Sequence, residues 1–172
     1  VFTLDNVTMT ITGKEDTNKG DAFDVWGTLN ITNGSTVTVE NSQTAFTMQG
    51  GLIADVNITN GSTVVANNLN GNFSNGGVWT IDDSMLDING CGNHGLSVET
   101  VDIVNSTVSV DGAKYTGIFA AELNISDSSN VTVTNCGESL PQSATWAPDG
   151  ESYKNAVELK GVQEFTIENS TL

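Results

Sequence analysis

With 172 residues, 21 of them acidic and five basic, the chain carries a formal net charge of −16. The basic residues are all lysine (Lys14, Lys19, Lys114, Lys154 and Lys160), and without clustered Lys and Arg the composition argues against nucleic acid or anionic lipid as a partner. No apolar run of about 18 residues is present to span a membrane, and the length suits one domain with a substantial core.

The chain opens on Phe2-Thr3-Leu4-Asp5-Asn6-Val7-Thr8-Met9-Thr10-Ile11, in which apolar and polar residues alternate, turn at Asp5-Asn6, and alternate again. Period-two alternation on either side of a turn predicts two strands, each with one buried face. The polar stretch 13–20 reads as an inserted surface loop. Gly27 to Val39 then repeats the opening pattern, and Val56 to Val65 repeats it almost letter for letter as Ile58-Thr59-Asn60-Gly61-Ser62-Thr63-Val64. Trp79 to Ile88, Val101 to Val110 and Leu123 to Val133 keep the apolar positions and vary the rest. Between these units lies a shorter apolar element carrying Phe46, Phe73, Leu96 or Ile118, so each repeat reads as three short strands.

Each repeat contains an apolar anchor, one further residue, and Asn or Asp. The anchors Leu4, Ile31, Ile58, Ile81, Ile103, Ile125 and Ile167 are spaced 27, 27, 23, 22, 22 and 42 residues apart. A recurring period in this range marks a solenoid. Short strands with identical turns at a fixed period stack like upon like, and each coil adds about 4.8 Å along the axis. The expected fold is therefore all-β, a right-handed parallel β-helix of about seven coils of 22–27 residues. One inward column is Phe2, Leu29, Val56, Trp79, Val101, Leu123 and Phe165, and the other is the row of anchors.

The Asn/Asp slot, at Asn6, Asn33, Asn60, Asp83, Asn105, Asp127 and Asn169, is expected on the inward parity at a turn. These residues tolerate the left-handed backbone region and can stack into a hydrogen-bonded ladder. Weaker rungs are expected at Asp83 and Asp127, because a carboxylate accepts hydrogen bonds but passes none on. Asn-X-Ser/Thr occurs ten times, and most of these Asn lie in the slot or just before an anchor, where structure alone selects them.

The 42-residue step contains both prolines and reads as an insertion over 137–156 that leaves one coil. Because binding groups concentrate on loops that protrude from a rigid scaffold, Trp146, Asp149 and Tyr153 are the candidate ligand-binding residues. The ends of the chain fall inside repeat units. The single β-helix domain over 1–172 is therefore expected to be a segment of a longer protein, with open coil ends able to associate end to end.

On these columns and the Asn-Gly-Ser-Thr-Val units, the chain resembles the right-handed parallel β-helix repeats of bacterial adhesin-like secreted and surface proteins. That resemblance implies an extracellular or cell-surface location, no enzymatic activity, no cofactor, and a glycan or surface protein as partner. The alternative is a fragment of a pectinase-like, polysaccharide-degrading β-helix. Asp82-Asp83 and Asn93-His94-Gly95 are similar to the polygalacturonase family's paired-Asp and Gly-His-Gly motifs. The 11-residue separation of Asp83 from His94, however, is about half a coil and places them on different faces. With no arginine to hold a uronate, no catalytic residue is assigned.

His94 and Cys91 lack further ligands at zinc-binding spacing, so no metal site is assigned either. Cys91 and Cys136 fall at equivalent positions two coils apart. That is about 9–10 Å, beyond the roughly 7 Å limit for a disulfide, and both thiols are expected to be free.

Overall fold

The structure is a computed structural model that describes residues 1–13, 20–48, 54–137, 156–159 and 165–171, with only the backbone of Phe165. Among the described residues there is no helix. The first rung comprises β1 (Phe2–Asp5), β2 (Thr8–Thr12) and β3 (Phe23–Val25). The second comprises β4 (Thr28–Thr32), β5 (Thr36–Glu40) and β6 (Phe46–Met48). The third comprises β7 (Asp55–Thr59), β8 (Thr63–Leu69) and β9 (Ser74–Asn75). From the fourth rung on, the third strand runs on into the first strand of the next rung. This gives β10 (Val78–Asp82), β11 (Met85–Cys91), β12 (Leu96–Val104), β13 (Thr107–Ala113), β14 (Ile118–Ser126) and β15 (Asn130–Thr134). The chain closes with β16 (Val157–Leu159) and β17 (Phe165–Ile167).

Every strand pairs in parallel with its counterpart one rung away, so the strands form three stacked sheets. The first is β1-β4-β7-β10-β12-β14, followed by β16 and β17, which both pair with β14; the second is β2-β5-β8-β11-β13-β15, and the third is β3-β6-β9. The described strands amount to about five complete turns, while the seven anchors form seven rungs of the first sheet. The register matches the sequence columns residue for residue: Phe2 with Leu29, Leu29 with Val56, Val56 with Trp79, Trp79 with Val101, Val101 with Leu123, and Leu123 with Phe165. The anchors pair in the same way from Leu4 to Ile167. Ile125 faces Ile167 directly, so the 42-residue step advances the stack by a single rung.

Alternation decides what is buried. In β4, β5 and β7 every second residue faces an apolar interior, and Ile31, Val37, Val39, Val56 and Ile58 are fully buried. Aromatic rings from the third-sheet side of the interior meet Trp79 of the first sheet. Phe23 stacks on Phe46 at 4.9 Å, and Phe46, Phe73 and Trp79 meet edge-on or tilted at 5.3–5.5 Å. Stacked and edge-to-face rings add stability beyond the area they bury.

The corner between the first and second sheets differs in part from the sequence expectation. All seven slot residues adopt the left-handed conformation, with φ from 45° at Asn105 to 55° at Asn33 and Asn60. Their side chains, however, are exposed and not directed inward, because the left-handed turn breaks the alternation. The slot makes a discontinuous surface chain in which Asn33 donates to Asp5 at 2.8 Å and Asn60 to Thr32 at 3.1 Å and Asn33 at 3.4 Å. Asp83 accepts from Asn105 at 3.2 Å, and as a carboxylate it has no hydrogen to pass on to Asn60, where the chain is interrupted among the described residues.

The inward ladder at this corner is built of serine. Backbone N–H groups of Val7, Ser62, Ser84, Ser106 and Ser129 donate to the hydroxyls of Ser35, Ser84, Ser106, Ser129 and Ser170 on the following rung, at 3.0–3.2 Å. Ser35, Ser106 and Ser129 hydroxyls donate in turn to the carbonyls of Leu4, Ile81 and Ile103 on the preceding rungs, so buried polar groups are paired across rungs. Among the described residues Ser62 Oγ is buried without a hydrogen-bond partner.

The left-handed turn gives a direct test. Asn60→Ala is expected to lower stability by about 1 kcal/mol, because a β-carbon is disfavoured at that φ, whereas Asn60→Gly should be close to neutral. Urea unfolding of the two variants side by side checks the contrast.

Candidate ligand-binding groove

Trp146, Asp149 and Tyr153 lie outside the described residues, as do 14–19 and 138–155, the bulk of the two expected insertions. Asp82 ends β10 and Asp83 follows it at the first corner, whereas His94 follows β11 at the second; the seven residues of β11 lie between them. The structure therefore does not bring the paired-Asp and histidine motifs together. Among the described residues no group of three His, Cys, Asp or Glu side chains is placed to hold a metal ion.

His94 belongs to an aromatic cluster. Its ring lies 5.7 Å from that of Tyr115 and 5.5 Å from that of Phe119, and its Nδ1 accepts from the Thr116 N–H at 3.4 Å. Burial lowers its pKa, partly opposed by the carboxylate of Glu158, so the neutral imidazole is favoured. Lys114 lies 5.5 Å above the Tyr115 ring, and Glu158 accepts from the Thr116 hydroxyl at 3.3 Å.

Cys91 stacks between Leu69 and Ala113, and continuation of the β13–β15 register places Cys136 beside Ala113, two rungs from Cys91. Both thiols are free. Burial, and then the neighbouring Cys136, push the Cys91 thiol up from 9.0 to about 12, and burial also raises that of Cys136. Since the thiolate is the reactive form, iodoacetamide at neutral pH should label half-buried Cys136 first. Cys91 should react only after unfolding, as peptide mass mapping over time would show.

The polar stripes of the first sheet are largely occupied by one another. Asn30 donates to Thr3 at 3.3 Å, Asn57 to Asn30 at 2.9 Å, Thr59 to Thr32 at 3.0 Å and Asn124 to Asp102 at 2.9 Å. These ladders stiffen the face and leave few groups for a ligand.

The corner between the third and first sheets is different. In β12, Val98 and Val101 both face inward, and Glu99 and Thr100 lie outside between them; β14 repeats this with Ala120, Leu123, Ala121 and Glu122. One rung earlier, the chain turns the corner through Gly76 and Gly77, at φ 87° and 89°, and a β-carbon on Gly76 would enter open space. Paired outward residues next to missing side chains leave a groove of about 410 Å³ lined by Asn75, Gly76, Ser97, Val98, Glu99, Phe119 and Ala121. Ser97 pairs with Phe119, and Gly76 N–H donates to the Ser97 carbonyl at 2.8 Å, so the groove crosses three rungs parallel to the axis. The Phe119 ring meets that of His94, and Phe119 also lines this groove.

A larger hollow of about 700 Å³, lined by Phe2, Met9, Ile11, Phe23, Val25 and Trp26 among others, is the interior seen end-on at the first rung. It continues the core columns and is shaped by apolar side chains, although the Trp26 indole beside it is 66% exposed.

Parallel three-sheet rungs, apolar columns within and hydrogen-bonded ladders without define this chain as a parallel β-solenoid. Comparison with protein-family models, with characterised proteins and with solved structures gives no match.

Proposed function

We propose that the chain is a non-enzymatic, extracellular segment of a bacterial cell-surface protein, adhesin-like in kind, whose rigid solenoid presents a binding surface to a glycan or a surface protein. The observation that carries this reading is the groove along the third corner, a preformed recess on a scaffold braced by ladders on its other faces. The separation of Asp82 and Asp83 from His94 supports recognition over polysaccharide cleavage. So does the absence of arginine, which a uronate-cleaving site would be expected to use.

The test incubates the whole chain with pectin and neutral polysaccharides while following reducing ends, and in parallel measures retention of host-type cell-surface glycoconjugates on the immobilised chain. Retention without release of reducing ends is expected. Reproducible turnover, or no retention of any glycoconjugate or protein, overturns the proposal.

A further inference from the structure

We propose that Asn6, Asn130 and Asn169 are acceptor sites for N-linked glycan, and that the fold closes the other seven Asn-X-Ser/Thr sequences of the chain to it. These sites lie outside the groove and rest on one part of the reading above, the extracellular setting in which this modification is made. The transferring enzyme must reach two groups on its acceptor, the asparagine amide and the hydroxyl two residues on. The amide nitrogen attacks C1 of an oligosaccharide carried on a polyprenyl diphosphate. The C1–N bond forms as the C1–O bond to the diphosphate breaks, and the amide gives up one proton as the polyprenyl diphosphate leaves.

Both groups are open at the three sites. Asn6, Asn130 and Asn169 are exposed, as are Thr8, Thr132 and Thr171 two residues on, and among the described residues none of these side chains makes a hydrogen bond within the chain. Asn6 and Asn169 stand at the first corner with φ of 52° and 49°, and Asn130 opens β15 just after the same corner. The ladders occupy the rest. Asn30, Asn33, Asn57, Asn60, Asn105 and Asn124 donate their amides to neighbouring rungs at 2.8–3.4 Å. Asn72 Oδ1 accepts from the His94 N–H at 3.1 Å. Most of the matching hydroxyls are withdrawn too, since Ser35, Ser62 and Ser74 are buried and Thr59 donates to Thr32 at 3.0 Å. Asn105 is the intermediate case, with Thr107 exposed but its amide held by Asp83 at 3.2 Å. A glycan on a ladder amide would break a bond between rungs. At the three open sites it would extend from the first corner into solvent, away from the groove at the corner between the third and first sheets.

The experiment incubates the folded full chain with an oligosaccharyltransferase and its polyprenyl-diphosphate oligosaccharide, reads occupancy at each asparagine by peptide mass mapping, and normalises it to a short peptide of the same local sequence. Asn6, Asn130 and Asn169 are expected to be modified within a few-fold of their peptides. The ladder asparagines should fall about tenfold or more below theirs, as an amide held in a hydrogen bond predicts. Thr8→Ala should abolish transfer at Asn6 alone, and Thr8→Ser should retain it, with an unchanged melting temperature showing that the fold is kept. Should Thr8→Ala shift that temperature, Thr132→Ala puts the same question to Asn130. No transfer to the three sites while their peptides are modified overturns the proposal. So does transfer to Asn57 or Asn60 in the folded chain as fast as to their peptides. Modification in the expected pattern by a chain that retains no glycoconjugate or protein upholds these sites and overturns only the binding function.

Discussion

Trp79→Ala removes about 3–5 kcal/mol of stability, the largest loss expected from a single truncation among the described residues. Trp79 is fully buried and packs at 5.3 Å, nearly perpendicular, on Phe46 and at 5.5 Å on Phe73. Its register partners are Val56 below and Val101 above. Alanine would leave a void bordered by rings that belong to neighbouring rungs. Those rings are held by parallel ladders on both sides, so the void cannot close by moving one strand. A second loss is polar: Trp79 Nε1 donates to the Gly76 carbonyl at 3.1 Å, and that acceptor would lose its partner. Urea unfolding should show a lowered midpoint. Because solenoid stability is a sum of rung and neighbour terms, amide exchange should accelerate first in β7, β10 and β12. Trp79→Phe keeps most of the ring area and should lose well under half as much. A loss below about 1 kcal/mol for the alanine variant would mean that the interior relaxes far more than close-packed cores do.

The first sheet was legible in the sequence because its information is one-dimensional. An apolar anchor at a near-constant period specifies both the strand and its partner, and Leu4 to Ile167 pair as the letters suggest. The corners were less legible, for reasons that can be assigned to residues. One left-handed residue reverses side-chain parity, so counting by twos placed Asn33 and Asn60 inside when they are outside. The serines that replace them inside follow the slot by two residues at Ser35, Ser62 and Ser129, but by one at Ser84, Ser106 and Ser170. That variable offset hides the ladder from any search at fixed spacing. The groove was hidden differently. Phe119 sits within Ile118-Phe119-Ala120-Ala121, an apolar run in which nothing marks the outward residue. Only pairing with Ser97 shows that Phe119 faces out, and only the glycines of the rung below show that it faces a recess. The signal that could have found it is the pair of residues between inward positions, Glu99-Thr100 and Ala121-Glu122, where strict alternation fails.

Gly95→Ala is expected to cost about 1–3 kcal/mol through overpacking alone. A methyl group on Gly95 would run into the carbonyl oxygen of Gly117 on the next rung and approach Val110 Cγ1 to 2.7 Å. The backbone has little freedom to retreat. Gly95 N–H donates to the Thr116 carbonyl at 3.0 Å, and the Gly95 carbonyl accepts from Phe73 N–H at 3.2 Å, so the residue is tied to the rungs on both sides. Gly76→Ala is the informative comparison, since a β-carbon there meets nothing within 4 Å but the backbone stands at φ 87°. Its cost should be about 1 kcal/mol, from conformation and not contact. The two variants also differ in their consequences for the groove. Gly95 adjoins His94, whose ring lies 5.5 Å from Phe119, so forcing this turn outward should disturb the aromatic cluster and its near-ultraviolet dichroism. Gly76 lines the groove itself, so alanine there should narrow the recess while leaving the cluster's spectrum intact. Equal spectra for both variants, or a melting temperature for Gly95→Ala indistinguishable from that of the parent chain, would show that the rungs separate at this corner more easily than their hydrogen bonds imply.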